Sequence, residues 1–116
     1  MNSKKLNPKQ YGEQSEDLAT TFLEQNGFRI IERNYFARKM GEIDIIATRD
    51  DIWHFIEVKS SQTSYDAIYN IRPSKIKKVI KSSQYYMKTK GLDVVFSIDA
   101  IVIRGKEIEF LENITM

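Results

Sequence analysis

The stretch GEIDIIATRDDIWHFIEVK, residues 41–59, decides how this chain is read. Residues 42–48 (EIDIIAT) and 52–59 (IWHFIEVK) are rich in apolar and β-branched residues, and the polar Arg49-Asp50-Asp51 between them reads as a hairpin turn. Side chains alternate along a strand, so Glu42 and Asp44 share one face of the first strand, and Glu57 and Lys59 one face of the second. Ile43, Ile45, Ile56 and Val58 face the other way. The turn makes the strands antiparallel neighbours, which brings Asp44 and Glu57 together on one face of one sheet. Two carboxylates and a lysine inside otherwise apolar strands are costly unless they are paired or bind a metal.

The group types point to a chemistry. Asp44 and Glu57 offer hard oxygen ligands for Mg²⁺ or Mn²⁺, and the Val58 carbonyl is placed to help. Lys59 beside such a metal could orient a nucleophile or stabilise charge on a phosphoryl group. A metal lowers the pKa of its water, so no histidine base is needed. The reaction class is metal-dependent phosphodiester hydrolysis. The plain alternative is an Asp44–Lys59 or Glu57–Lys59 ion pair at a strand end.

Counting removes other chemistries. There is no cysteine, which excludes disulfides, thiol catalysis and Cys-ligated zinc, and permits a reducing, cytoplasmic setting. The single histidine, His54, lies opposite Glu57 on its strand and is expected to be structural or at the surface. The five glycines are too scattered for a phosphate-binding loop. The opening MNSKKLNPKQ lacks an apolar core, so neither a secretory signal nor a membrane partner is expected. With 41% apolar and 29% charged residues in 116, one globular domain is the expectation: a polar arm over 1–11, then a single domain over 12–116.

Outward from the hairpin, residues 12–25 form a helix with Gly27 as its C-cap, 28–36 a strand, 73–89 a helix opened by Pro73, and 93–103 and 107–112 two more strands. Residues 60–72 read as a loop with a helical turn. The order is αβββαββ, an α/β fold. In the first helix Leu18, Ala19, Phe22 and Leu23 make the core face and Glu16 lies at its border. In the second, Ile76, Val79, Ile80, Tyr86 and Met87 face the core, while Lys77, Lys78, Lys81, Lys88 and Tyr85 face outward and Lys75 sits at the border. From Arg72 to Lys90 there are seven bases and no acid, a positive face suited to a polyanion on a chain whose net charge is only +2. Lys75, Lys77, Lys78, Lys81 and Tyr85, with Arg38 and Lys39 before Gly41, are the candidate nucleic-acid contacts.

G-E-I-D-I-I-A at 41–47 followed by F-I-E-V-K at 55–59 resembles the PD-(D/E)XK nuclease superfamily and, more narrowly, the small bacterial YraN-like family. The pattern G-x-x-S-E-x-x-A-x-x-F-L-x-x-x-G-F over 12–28, the Arg33-Asn34 pair, Lys75 and Asp93-Val94-Val95 extend the resemblance over nearly the whole chain. It implies a restriction-endonuclease-like three-layer core, a mixed β-sheet flanked by helices. The pattern is also similar to that of archaeal Holliday junction resolvases, in which a first-helix glutamate joins the metal site. By carry-over, Glu16, Asp44, Glu57 and Lys59 form the catalytic set, with Glu16, Asp44 and Glu57 on the metal. Glu42 and Lys75 match motif positions. One departure is Ser61, where the family often has an arginine.

The function expected is a Mg²⁺- or Mn²⁺-dependent endonuclease acting on DNA, branched or recombination structures among its substrates. The alternative is a non-catalytic nucleic-acid-binding module that keeps the fold. A two-fold symmetric substrate would favour a homodimer, with an unpaired sheet edge as the available surface.

Overall fold

The computed structural model describes residues 7–61 and 72–115. Helix α1 spans Pro8–Gln25, strand β1 Arg29–Phe36, a short 3-10 turn Arg38–Met40, β2 Glu42–Arg49, β3 Ile52–Ser61, α2 Pro73–Lys90, β4 Val95–Arg104 and β5 Glu107–Leu111. The order αβββαββ is the one read from the sequence. Of the expected 60–72 loop, residues 62–71 lie outside the described residues.

Helix α1 starts four residues earlier than its apolar pattern announces, within the stretch read as a polar arm. The cause is local. The Asn7 side chain accepts from the backbone N–H of Gln10, and the Gln10 side chain accepts in return from that of Asn7, with Pro8 fixing the first turn. At the other end Gly27, at φ +84°, lets the chain reverse: its N–H bonds the Glu24 carbonyl and that of Phe28 bonds the Leu23 carbonyl. Phe28 thereby drops into the core beside Leu23.

The five strands form one sheet in the order β1-β2-β3-β4-β5. All neighbours are antiparallel except β3 and β4, which run parallel because α2 carries the chain across between them. The β2–β3 turn has two residues, Asp50 and Asp51, both left-handed at φ +53° and +64°, the geometry that matches strand twist.

Each helix covers one face of the sheet. Ala19 and Leu23 of α1 pack with Phe28, Ile45, Ala47, Ile56, Ile101 and Ile103. Val79 and Tyr86 of α2 pack with Ile43, Ile46, Phe55 and Ile98. The result is a three-layer α/β/α core. Two details differ from the sequence reading. Leu18 is 42% exposed, and Ser15 takes its place on the buried face. Ile43 joins the α2-side cluster although Ile45 packs toward α1, because the β2–β3 ladder stops at Ile45↔Ile56 and the strand end beyond it is released from that register.

His54 is buried and structural. Its Nδ1 lies 2.6 Å from Asp99 Oδ2, and the other Asp99 oxygen accepts from the Ser97 hydroxyl and from the Asn113 N–H at 2.8 Å. Phe28 and Phe110 pack against the imidazole. Among the described residues no helix is long and apolar enough to cross a membrane.

Candidate functional site

The site begins where the β2–β3 ladder ends. The next rung would use the backbone N–H of Val58. Instead Asp44 Oδ2 accepts that N–H at 2.8 Å, so a carboxylate replaces a main-chain partner and is fixed beside β3. Glu57, only 9% exposed, lies within hydrogen-bonding reach of it. One Glu57 oxygen, Oε1, sits 3.7 Å from Lys75 Nζ on α2. The other, Oε2, is buried and meets no donor among the described residues, an expensive arrangement for a carboxylate unless a proton or a cation stands between it and Asp44. Trp53 and Phe55, on the same face of β3 as Glu57, pack into the α2-side core.

The electrostatics follow from burial. Desolvation first, and then the negative charge of Asp44, push the Glu57 carboxyl up to about 8. Lys75 and Lys59 oppose the shift. Burial also raises Asp44, against the pull of the Val58 N–H, of Lys75, of a hydrogen bond from Glu57 and of Lys59. Without a cation, the pair at neutral pH holds a proton on Glu57 that is shared toward Asp44.

Glu16 approaches from α1. Arg33 Nη2 lies 3.6 Å from Glu16 and 2.9 Å from Asp17, and the Asn34 side chain donates to Glu16. Asn34 adopts a left-handed conformation, φ +53°, that interrupts strand alternation at this point. Burial and the charges of Asp44 and Glu42 raise the Glu16 carboxyl, while Asn34 and Arg33 lower it. Arg33 and Asn34 thus position a carboxylate, a role their sequence pattern leaves open.

The four residues carried over from the resemblance therefore gather at one end of the sheet: Asp44 and Glu57 in the centre, Glu16 and Lys59 within electrostatic reach. Lys75 belongs with them rather than with the outer lysines. Its ammonium supplies the ion pair to Glu57 that the sequence would have given to Lys59. Lys77, Lys78 and Lys81 are exposed on α2, and Arg38 and Lys39 on the 3-10 turn, as expected of a charged surface. Tyr85 is half-buried rather than outward. Ser82 and Ser83 of α2 are buried, and their hydroxyls donate to the Lys78 and Val79 carbonyls at 2.7 Å.

Among the described residues, no three acidic or histidine side chains stand grouped as a ready-made metal cage. The donor set still suits a hard divalent cation. Mg²⁺ is held through one or two protein carboxylates with water and substrate oxygen completing its shell, and the unpartnered buried Oε2 of Glu57 beside Asp44 is such a pair.

Residues 15–103 match the sequence profile of a family described as "Uncharacterised protein family UPF0102". Relatives named "UPF0102 protein" are similar along the chain. That of Sulfurovum sp. is 62% identical over 109 residues, covering 94% of this chain and 96% of its own. That of Helicobacter hepaticus is 50% identical over 111 residues, covering 96% and 99%. A relative in Wolinella succinogenes is 47% identical over 105 residues, covering 90% and 95%. The matched region contains Glu16, Asp44, Glu57, Lys59 and Lys75.

Proposed function

Since the chain belongs to the uncharacterised protein family UPF0102, which is the YraN-like family, we propose that it is a Mg²⁺- or Mn²⁺-dependent endonuclease of the cytoplasm. It hydrolyses phosphodiester bonds in DNA, branched or recombination structures among them. The observation that carries this reading is the buried Asp44–Glu57 pair with an unpartnered oxygen and two lysines beside it. A structural ion pair would consume its carboxylate oxygens; among the described residues Glu57 Oε2 meets no donor and the pair stands carboxyl to carboxyl instead.

Asp44 and Glu57 would hold the cation. When bound, it supplies Lewis-acid polarisation of the phosphodiester and an acidified water. The protein's own groups do the rest. The Val58 N–H keeps Asp44 from turning away. Lys75 neutralises Glu57 on the α2 side, so that the carboxylate is held without rotating. Lys59 places a positive charge where the phosphoryl oxygens gain negative charge. Glu16, oriented by Arg33 and Asn34, accepts a hydrogen bond from a nucleophilic water approaching from the α1 side. Arg38, Lys39, Lys77, Lys78 and Lys81 hold the DNA backbone, and a homodimer would suit a two-fold symmetric substrate.

The test is cleavage of single-stranded, duplex, flap and four-way-junction DNA in Mg²⁺ and in Mn²⁺, with Asp44→Asn and Lys59→Ala beside the wild type. Wild-type cleavage is expected, with each variant reduced at least about 100-fold. If wild type cleaves nothing while all three proteins bind DNA with equal salt dependence, the protein is a binding module. The absence of a third grouped carboxylate among the described residues favours that second reading.

A further inference from the structure

Phe36 closes β1, is 70% exposed as a residue, and belongs to neither core cluster. Its mount is rigid. Ala37, the next residue, is fully buried. The Ala37 N–H bonds the Gly41 carbonyl at 2.8 Å and the Met40 N–H bonds the Ala37 carbonyl at 3.0 Å, so the 3-10 turn is tied across its base. Gly41, at φ +133°, lies so close to α2 that a Cβ there would stand 3.3 Å from Lys78 Cβ and Ser82 Oγ. The turn is thus wedged against the basic helix, with the exposed Arg38 and Lys39 beside exposed Lys78.

This mount stands next to the carboxylate pair. Phe36 is the Cα partner of Glu42, which is two residues, about 7 Å, from Asp44 along β2. A single exposed ring, with Glu42 across the ladder and Arg38 and Lys39 following in the turn, does not resemble the apolar centre of a protein interface, which needs several adjoining apolar groups. It has the makings of a base-stacking platform, an aromatic face beside charges that track a phosphate backbone.

We infer that Phe36, two and three residues before the exposed Arg38 and Lys39, stacks on an unpaired DNA base next to the carboxylate site and gives the protein a preference for DNA with single-stranded character. The inference rests on the endonuclease reading for its orientation, but its test reads binding rather than cleavage. Labelled single-stranded DNA and the blunt duplex of the same sequence are titrated in EDTA with wild type, Phe36→Ala and Phe36→Trp. Phe36→Ala is expected to bind the single strand about 10-fold more weakly and the duplex within about 2-fold of wild type. Phe36→Trp is expected to retain single-strand affinity and to lose indole fluorescence on binding. Unchanged single-strand binding by Phe36→Ala, an equal loss on both DNAs, or no DNA binding by wild type would each overturn the inference. Phe36-dependent binding without cleavage in Mg²⁺ or Mn²⁺ would sink the endonuclease reading and leave this one standing. Cleavage with no dependence on Phe36 would do the reverse.

Discussion

Glu57 makes the stability of the protein depend on pH in an uncommon direction. Its carboxyl titrates at about 8 in the folded chain against 4.5 as a free side chain, so between those values the folded state holds the extra proton. The stabilisation is complete below about 4.5 and is lost as pH rises through about 8. Asp44 and Glu16 are shifted the same way. Thermal melts of the metal-free protein are expected to fall in midpoint across that window, and Glu57→Gln, which cannot titrate, to flatten the fall. Added Mg²⁺ should raise the wild-type midpoint more at the alkaline end, where the proton no longer competes. A midpoint that rises with pH in this window would contradict the arrangement. Glu57 and Lys59 were legible in the sequence because strand alternation puts them on one face of β3; Asp44 stood out as an acid in an apolar strand, but alternation fails between Ile43 and Ile45, and its bond from the Val58 N–H is what brings it to Glu57. Lys75 and Asn34 were not, since one reaches the site across a helix–sheet layer and the other through a left-handed kink.

Among the elements, the 3-10 turn and α2 act as one unit, joined where Gly41 meets Lys78 and Ser82. Gly41→Ala would combine a disfavoured backbone conformation with a close approach to Lys78 Cβ, a backbone-proximal atom that cannot swing aside. The expected loss is about 1–3 kcal/mol in urea denaturation, and DNA affinity should fall with it as Arg38 and Lys39 lose their fixed position. An affinity unchanged in a destabilised but folded variant would separate the turn from DNA binding. Element existence and order were readable because each segment carries its own period and its own stop signal. Their inner faces were less so. The burial of Ser15, Ser82 and Ser83 in place of Leu18 shows why: close helix–sheet approach selects for small residues, a demand that apolar periodicity does not record.

For the whole molecule, the buried His54–Asp99 pair joins β3, β4 and, through Asn113, the tail after β5 in one network. Neither residue stood out as a partner of the other, because the parallel pairing of β3 with β4 is settled only by the crossover through α2. Asp99→Ala would strand the imidazole, the Ser97 hydroxyl and the Asn113 N–H together. It is expected to cost about 3 kcal/mol or more, read by chemical denaturation, while leaving the carboxylate pair on the opposite face of the sheet intact. If metal-dependent stabilisation vanished in that variant while it remained folded, the two faces would be coupled in a way the layers do not suggest.

The parallel ladder between β3 and β4 has a consequence for the order in which the chain assembles. Asp44 and Glu57 sit on a hairpin closed by two residues, whereas Lys75 arrives only with the long excursion that must return before β4 can dock. Short loops close sooner than long ones, so the hairpin can bring Asp44, Glu57 and Lys59 together before Lys75 joins them. Burial is what raises the Glu57 carboxyl, so its affinity for a proton, and with it the readiness for a metal, arrives only when the helices close over the finished sheet.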